Sequence, residues 1–202
     1  MLSPLPIPPS ASDELLRSWG YDLISEYEEM MRHAAFEQAY PVIDLATGSG
    51  RMTAVLVHLG YQVVTGDRTQ EQMSRVQERL TPRHRTNARF LMLDMDRLPF
   101  HGGSIRNLVC VNTLHELDDP STAIDEILRV MHPKGRILFA DFSDLGFDVM
   151  QQLEREVYRR DHRRGDMPMA DVMTLLQSKG CTVQRIELPL NVAVVVRQSP
   201  VR

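Results

Sequence analysis

The chain lacks any long apolar run: no stretch approaches the roughly 20 consecutive apolar residues of a spanning helix, so no membrane span is expected. Cysteine is nearly absent. Cys110 and Cys181 lie far apart, which excludes a disulfide scaffold and predicts reduced, packed thiols in a cytoplasmic protein. A net positive field is missing too. With a net charge of -4 and an isoelectric point near 6.0, nothing suggests a surface that holds nucleic acid, and no nucleic-acid partner is expected. Lysine occurs only at Lys134 and Lys179, so the basic residues are almost all arginine. The seven histidines show no zinc-like ligand spacing, and no metal site is expected. The opening "MLSPLPIPPSAS" has no basic residue and no unbroken apolar run, so it reads as neither signal peptide nor anchor. Its four prolines predict a flexible tail over residues 1–11.

The 202 residues, 43% of them hydrophobic, suffice for one good core and predict a single domain with a short extension. From Ser12, apolar residues recur at helical intervals (Leu15, Leu16, Trp19, Leu23, Ile24, Tyr27, Met30, Met31), with Gly20 as a break between two helices. Strands are predicted at Pro41–Leu45, Tyr61–Thr65, Phe90–Leu93, Leu108–Asn112 and Arg136–Ala140. Helices are predicted at Thr53–Leu59, Gln70–Leu80, Pro120–Met131 and Phe147–Arg160. Such alternation implies a parallel sheet covered on both faces. After a helix at Met169–Ser178, the runs Cys181–Leu188 and Asn191–Arg197 are separated only by Pro189 and Leu190, so they must pair antiparallel. The expected fold class is α/β: a Rossmann-like, doubly wound, mostly parallel seven-stranded sheet, with one antiparallel strand near its C-terminal edge.

The stretch "PVIDLATGSGRM" poses the functional question. A strand that ought to be buried carries Asp44 and then turns through Gly48 and Gly50, where a glycine backbone lets a cofactor approach closely. A dinucleotide fingerprint would want a third glycine near Thr53. Asp44 would also repel a pyrophosphate but attract an ammonium group. Asp67 ends the second predicted strand region, where a carboxylate can accept both hydroxyls of a ribose or, alternatively, cap the following helix.

"VIDLATGSGRMT" resembles the first motif of the class I S-adenosylmethionine-dependent methyltransferases. "VVTGDRTQEQM" resembles the family's second motif and "FLMLDMDRLPF" its third, and "AIDEILRVMHPKGRILFADF" resembles the segment leading along the fifth strand. The four occur in order from Pro41 to Phe142, about half the chain, and the "DLATG" form with Ala46 is most similar to the quinone-biosynthesis branch. The resemblance implies S-adenosyl-L-methionine as cofactor and a small molecule as methyl acceptor. It implies cofactor contacts at Asp44, Ala46, Thr47, Gly48, Gly50, Asp67, Arg68, Asp94, Met95, Asn112 and Thr113, with Asp94 at the adenine amino group and the Met95 backbone reading the ring. Two departures stand out: "SIRN" puts Asn107 where the family often has aspartate, and "HPKG" puts Lys134 where glycine is usual.

After the fourth strand, "VNTLHELDDP" places His115 and Glu116 at the expected acceptor side as candidate catalytic residues, with loop packing the equal alternative for His115. The helices of residues 12–38 are expected to form a lid, with Tyr21 and Tyr27 as closing aromatics, over a cofactor domain of residues 39–202. The basic run "RRDHRRGD", Arg159–Asp166, reads as a solvated helix end or as a seat for an anionic acceptor or RNA. Met150, Met167, Met169 and Met173 read as core filler or as the lining of an apolar acceptor pocket. Three functions stay open: a small-molecule methyltransferase, a nicotinamide oxidoreductase, and a catalytically silent cofactor-binding or partner-binding domain. Oligomeric state is not read from the sequence.

Overall fold

A computed structural model of the chain describes residues 7–198. Most of the expected proline-rich tail, residues 1–6, lies outside the described residues. From Ile7 the chain is held in place: Ile7 packs on the core, and Ser10 caps α1 (Ala11–Ser18) through a reciprocal capping box with Asp13. After Gly20 the chain enters α2 (Leu23–Ala34), capped by Asp22, and then β1 (Val42–Leu45) and α3 (Arg51–His58). The chain continues through β2 (Val63–Asp67), α4 (Gln70–Arg79), a short α5 (Pro82–Arg85) and β3 (Ala88–Met92). The second half holds β4 (Ile105–Val111), α6 (Pro120–Val130), β5 (Met131–Phe142), α7 (Asp144–Leu153), α8 (Met169–Ser178), β6 (Cys181–Glu187) and β7 (Asn191–Gln198).

The seven strands form one sheet in the order β3-β2-β1-β4-β5-β7-β6. All pairs are parallel except those of β7, which runs antiparallel to both β5 and β6, as the tight Pro189–Leu190 connection required. Strand order reverses between β1 and β4, and in an open parallel sheet that switch point, at the carboxyl ends of the strands, is where ligands bind.

Two cores follow from the period of two along each strand. Val42, Val109 and Leu138 face one layer with α2, α3 and α7, while Ile43, Leu108 and Ile137 face the other with α6 and α8. The first layer takes in Leu16 of α1 and Leu23, Tyr27, Met30 and Ala34 of α2, all buried. Both N-terminal helices pack into this layer, and both reach the strands' ligand end, α1 through Asp13 and α2 through Tyr27.

Several boundaries differ from the expectation. The helix expected over Phe147–Arg160 starts earlier, at Asp144 behind the Ser143 cap, and ends at Leu153 in a π-helical turn, Glu154–Tyr158, closed by Arg159 in the left-handed region. The strand expected from Arg136 begins at Met131, because "HPKG" is extruded from β5: five residue steps there face two along β4. Lys134 thus sits in a surface bulge away from the strands' carboxyl ends. Asn107 also has a structural reason. Buried in β4, it donates from Nδ2 to the carbonyls of Glu37 (2.9 Å) and Tyr40 (3.1 Å), which a carboxylate could not do.

Candidate active site

A cavity of about 460 Å³ opens over the carboxyl ends of β1, β2 and β4. Its floor is the turn after β1. Ala46 (φ 51°), Gly48 (φ 52°) and Gly50 (φ 74°) are all left-handed, and a Cβ on Gly50 would lie 2.9 Å from Val76 of α4. Ala46 holds a conformation that favours glycine, a local strain of the kind that collects at functional sites. Asn112, ending β4 across the switch point, is left-handed as well (φ 54°).

Asp44 is 1% exposed at the end of β1. Its Oδ2 accepts from the hydroxyls of Thr53 (2.5 Å), Thr47 (3.1 Å) and Thr65 (3.2 Å). The three hydroxyls also contact one another at 2.6–2.8 Å, so four oxygens close a tetrahedron. Three hydroxyl protons cannot serve six such contacts, and among the described residues no cation bonds the carboxylate. Burial pushes the Asp44 carboxyl up to about 6, against the three threonine hydrogen bonds that pull it down. Asp67, at the end of β2, accepts from the amides of Arg68 (2.7 Å) and Gly48 (3.2 Å), so it also steadies the glycine turn. These bonds are to neighbouring backbone, not to a helix N-cap; Thr69 caps α4.

The N-terminal helices reach this end through buried polar ties. Asp13 of α1 pairs with Arg51 at 2.8 Å and with Arg79, and all three are largely buried. Burial alone would raise the Asp13 carboxyl, but the two guanidiniums hold it well below the usual carboxylate range. Tyr27 of α2 lines the cavity, and its hydroxyl accepts from Asn112 Nδ2 at 2.9 Å. Glu26 accepts from the amide of Leu190 (2.9 Å) and from Asn191 (2.6 Å), pinning α2 to β7.

Of the residues expected from the sequence, Asp44, Ala46, Thr47, Gly48, Asp67, Arg68, Met95, Asn112, Thr113, Glu116 and Tyr27 line the cavity. Gly50, Asp94, Tyr21 and His115 do not. Gly50 sits beneath the turn, against α4. Asp94 is exposed and closes a turn by accepting from the amide of Asp96 at 3.2 Å. Tyr21 packs on the core. His115 lies just behind the wall, 2% exposed, with Nδ1 2.6 Å from Asp141 Oδ1 and its amide donating to Asp141 Oδ2 at 3.0 Å. Its Nε2 is buried without a hydrogen-bond partner.

Sequence reasoning missed Thr53, Thr65, Arg51, Asp141 and His162. Thr53 stood out only as a missing glycine, yet its spacing of nine from Asp44, one strand-turn-helix unit, was the available signal. Asp141 is 26 residues from His115, and nothing local links them.

Residues 43–139 match a family model described as a methyltransferase domain. A demethylmenaquinone methyltransferase of Clavibacter sepedonicus is 32% identical over 102 residues, which cover 50% of this chain and 41% of that protein. The ubiquinone/menaquinone biosynthesis C-methyltransferase UbiE of Shewanella sediminis is 29% identical over 116 residues, covering 55% and 46%. The matched segment thus spans less than half the length of these relatives. Among solved structures, a SAM-dependent methyltransferase from Aquifex aeolicus superposes with a TM-score of 0.63 at 18% identity, over 85% of this chain and 88% of that one. The glycopeptide N-methyltransferase MtfA complexed with sinefungin gives 0.66 at 18% identity, over 89% and 95%. The segment 43–139, just under half of the chain, is thus similar to a methyltransferase domain.

Proposed function

We propose that the protein transfers a methyl group from S-adenosyl-L-methionine to a small-molecule acceptor in the cytoplasm. The observation that carries this reading is Asp44, a buried carboxylate facing a ligand-sized cavity with no cation of the described residues bonded to it. Such a group is costly unless a cationic ligand group joins it, and the cofactor's α-ammonium is such a group. The same charge opposes a dinucleotide pyrophosphate, which argues against the oxidoreductase reading.

The residues fit the cofactor. Asp67 would hold the ribose hydroxyls, Gly48 and Thr47 would allow close backbone approach, Met95 would bound the adenine, and Asn112 and Thr113 would border the methionine portion. Arg68 would flank the adenosine. Bound there, the cofactor supplies an electrophilic methyl on a positively charged sulfur. The chain's own part is to orient the acceptor and exclude water, with α1 as the cover, tied down by Asp13 and by Ser12, whose hydroxyl is 3.1 Å from that of Tyr158. The acceptor end of the cavity sets Leu117, Phe142, Met150 and Tyr158 beside the polar Glu116, Glu154, Arg160 and His162. That supports a small organic acceptor, as do relatives named for quinone methylation. Among the described residues no helix is long and apolar enough to cross a membrane. Calorimetry with S-adenosylhomocysteine and with NADH tests the reading: binding of the first and not the second is expected, and the reverse overturns it.

A further inference from the structure

The basic run "RRDHRRGD" starts at the cap of the π-helical turn and is largely exposed, as a solvated helix end would be, but it does more than that. It folds back over the loop that carries His115. Gly165 (φ 71°) lies so close that a Cβ there would be 2.5 Å from the His115 carbonyl oxygen, and Arg163 donates to the carbonyl of Glu116 at 3.1 Å and to Asp118 at 3.0 Å. The His162 amide donates to Gln151 of α7 at 3.1 Å. The consequence is to seat His162 in the cavity wall, its ring 5.0 Å from that of His115, with Phe142 and Phe147 packed around both. Among the described residues, His115 and His162 each have a buried Nε2 with no hydrogen-bond partner.

The Asp141 carboxylate can only accept, so His115 carries a proton on Nδ1. Around His162 stand Asp141 of β5, Glu154 and Arg160 of the π-helical turn, and His115 and Glu116 of the loop after β4. Burial, with His115 and Arg160, pushes His162 below the usual imidazole range, while Glu154 and Asp141 oppose this. At neutral pH it is an unprotonated base.

We propose that His162 is the proton acceptor of the reaction, with His115 and Asp141 as positioning residues behind it, and that the methyl acceptor is therefore a molecule that must surrender a proton: an O–H, N–H or acidic C–H compound, not a tertiary amine or a thioether. This rests on the methyltransferase reading above. The new bond to the methyl carbon forms from the acceptor's electron pair, and the sulfur–carbon bond breaks with its pair remaining on sulfur. The acceptor's proton passes to His162. One positive charge leaves the sulfur and one arrives on imidazole, near the carboxylates of Glu154 and Asp141.

The test needs no acceptor. An imidazolium in this wall repels a sulfonium but not a thioether, so the ratio of S-adenosylmethionine to S-adenosylhomocysteine affinity reports its charge, and effects common to both ligands cancel. In the wild type the ratio is expected to fall about tenfold as pH drops through the imidazole titration. His162→Gln should remove most of that fall and leave the smaller part due to Glu116. Asp141→Asn should shift its midpoint and move the His115 proton from Nδ1 to Nε2 in nitrogen-15 spectra, which a merely structural role would not do. A ratio with the same pH dependence in wild type and His162→Gln, or a His115 Nδ1 without its proton in the wild type, overturns the proposal. Binding of neither ligand would instead overturn the methyltransferase reading.

Discussion

The two ends of the cavity are built in different ways. Above β1 and β2, the groups that matter are close in sequence: Asp44, Thr47, Gly48, Thr53, Thr65 and Asp67 meet through contacts spanning at most 21 residues. Above β4 and β5, and under the N-terminal helices, the joins are long-range: His115 to Asp141, Tyr27 to Asn112, Asp13 to Arg51 and Arg79, Glu26 to Asn191. The first end is a local motif that any correctly folded β-turn-α unit delivers. The second exists only once the whole molecule has closed, so its defects should show as instability before they show as chemistry.

The largest effect should come from breaking the long-range end outright. Deleting the chain through Phe36 strips Leu16, Leu23, Met30 and Phe36 from one face of the sheet, and truncating even one large buried side chain costs about 2–5 kcal/mol. Loss of a cooperative melting transition is expected; a cooperative transition in the truncated protein would mean that α2 is a detachable lid after all. Next comes Asp13→Ala, which leaves Arg51 and Arg79 buried without their carboxylate and should cost about 3–5 kcal/mol in urea unfolding. The pH dependence carries the sign. The folded Asp13 carboxyl lies below its unfolded value, so its contribution is full above the unfolded value and is lost as pH falls toward the folded one.

The local end should fail in binding first. Asp67→Ala removes the acceptor proposed for the ribose and the anchor of the Gly48 amide, and should weaken S-adenosylhomocysteine binding by about 1.5–3 kcal/mol, roughly ten- to a hundredfold. An unchanged dissociation constant would leave Asp67 only as a support for the turn. Smallest of all, Lys134→Gly in the extruded bulge of β5 should change stability by less than about 0.5 kcal/mol and leave binding alone.

The same contrast explains what the sequence disclosed. The sheet, its order-determining alternation and the reversed β7 were legible because apolar periodicity and a two-residue connection leave few options. Asp44, Gly48 and Asp67 were legible because they sit at strand ends inside ordered motifs. The role of Thr53 was not, since a threonine in a helix's first turns is unremarkable until its hydroxyl is seen 2.5 Å from Asp44. Asp141 and His162 were invisible for a different reason. A carboxylate near the end of β5 and a histidine in a basic run acquire meaning only when Gly165 lets the run press against His115.

At the centre of the local end, Asp44 is held buried and without a bonded cation, so that the cofactor's ammonium can complete it. Its folded carboxyl is raised from 3.8 to about 6, so the unliganded protein loses stability as pH rises between those values, about 3 kcal/mol in all. A cationic partner reverses that shift. Calorimetric titration of S-adenosylhomocysteine from below to above pH 6, in wild type and Asp44→Asn, measures this directly. Affinity should climb as pH rises through about 6 and then level off, with proton release on binding, whereas Asp44→Asn should bind weakly and without that climb while its unliganded form melts higher. An affinity that ignores pH across this range, or that survives Asp44→Asn intact, would contradict the account.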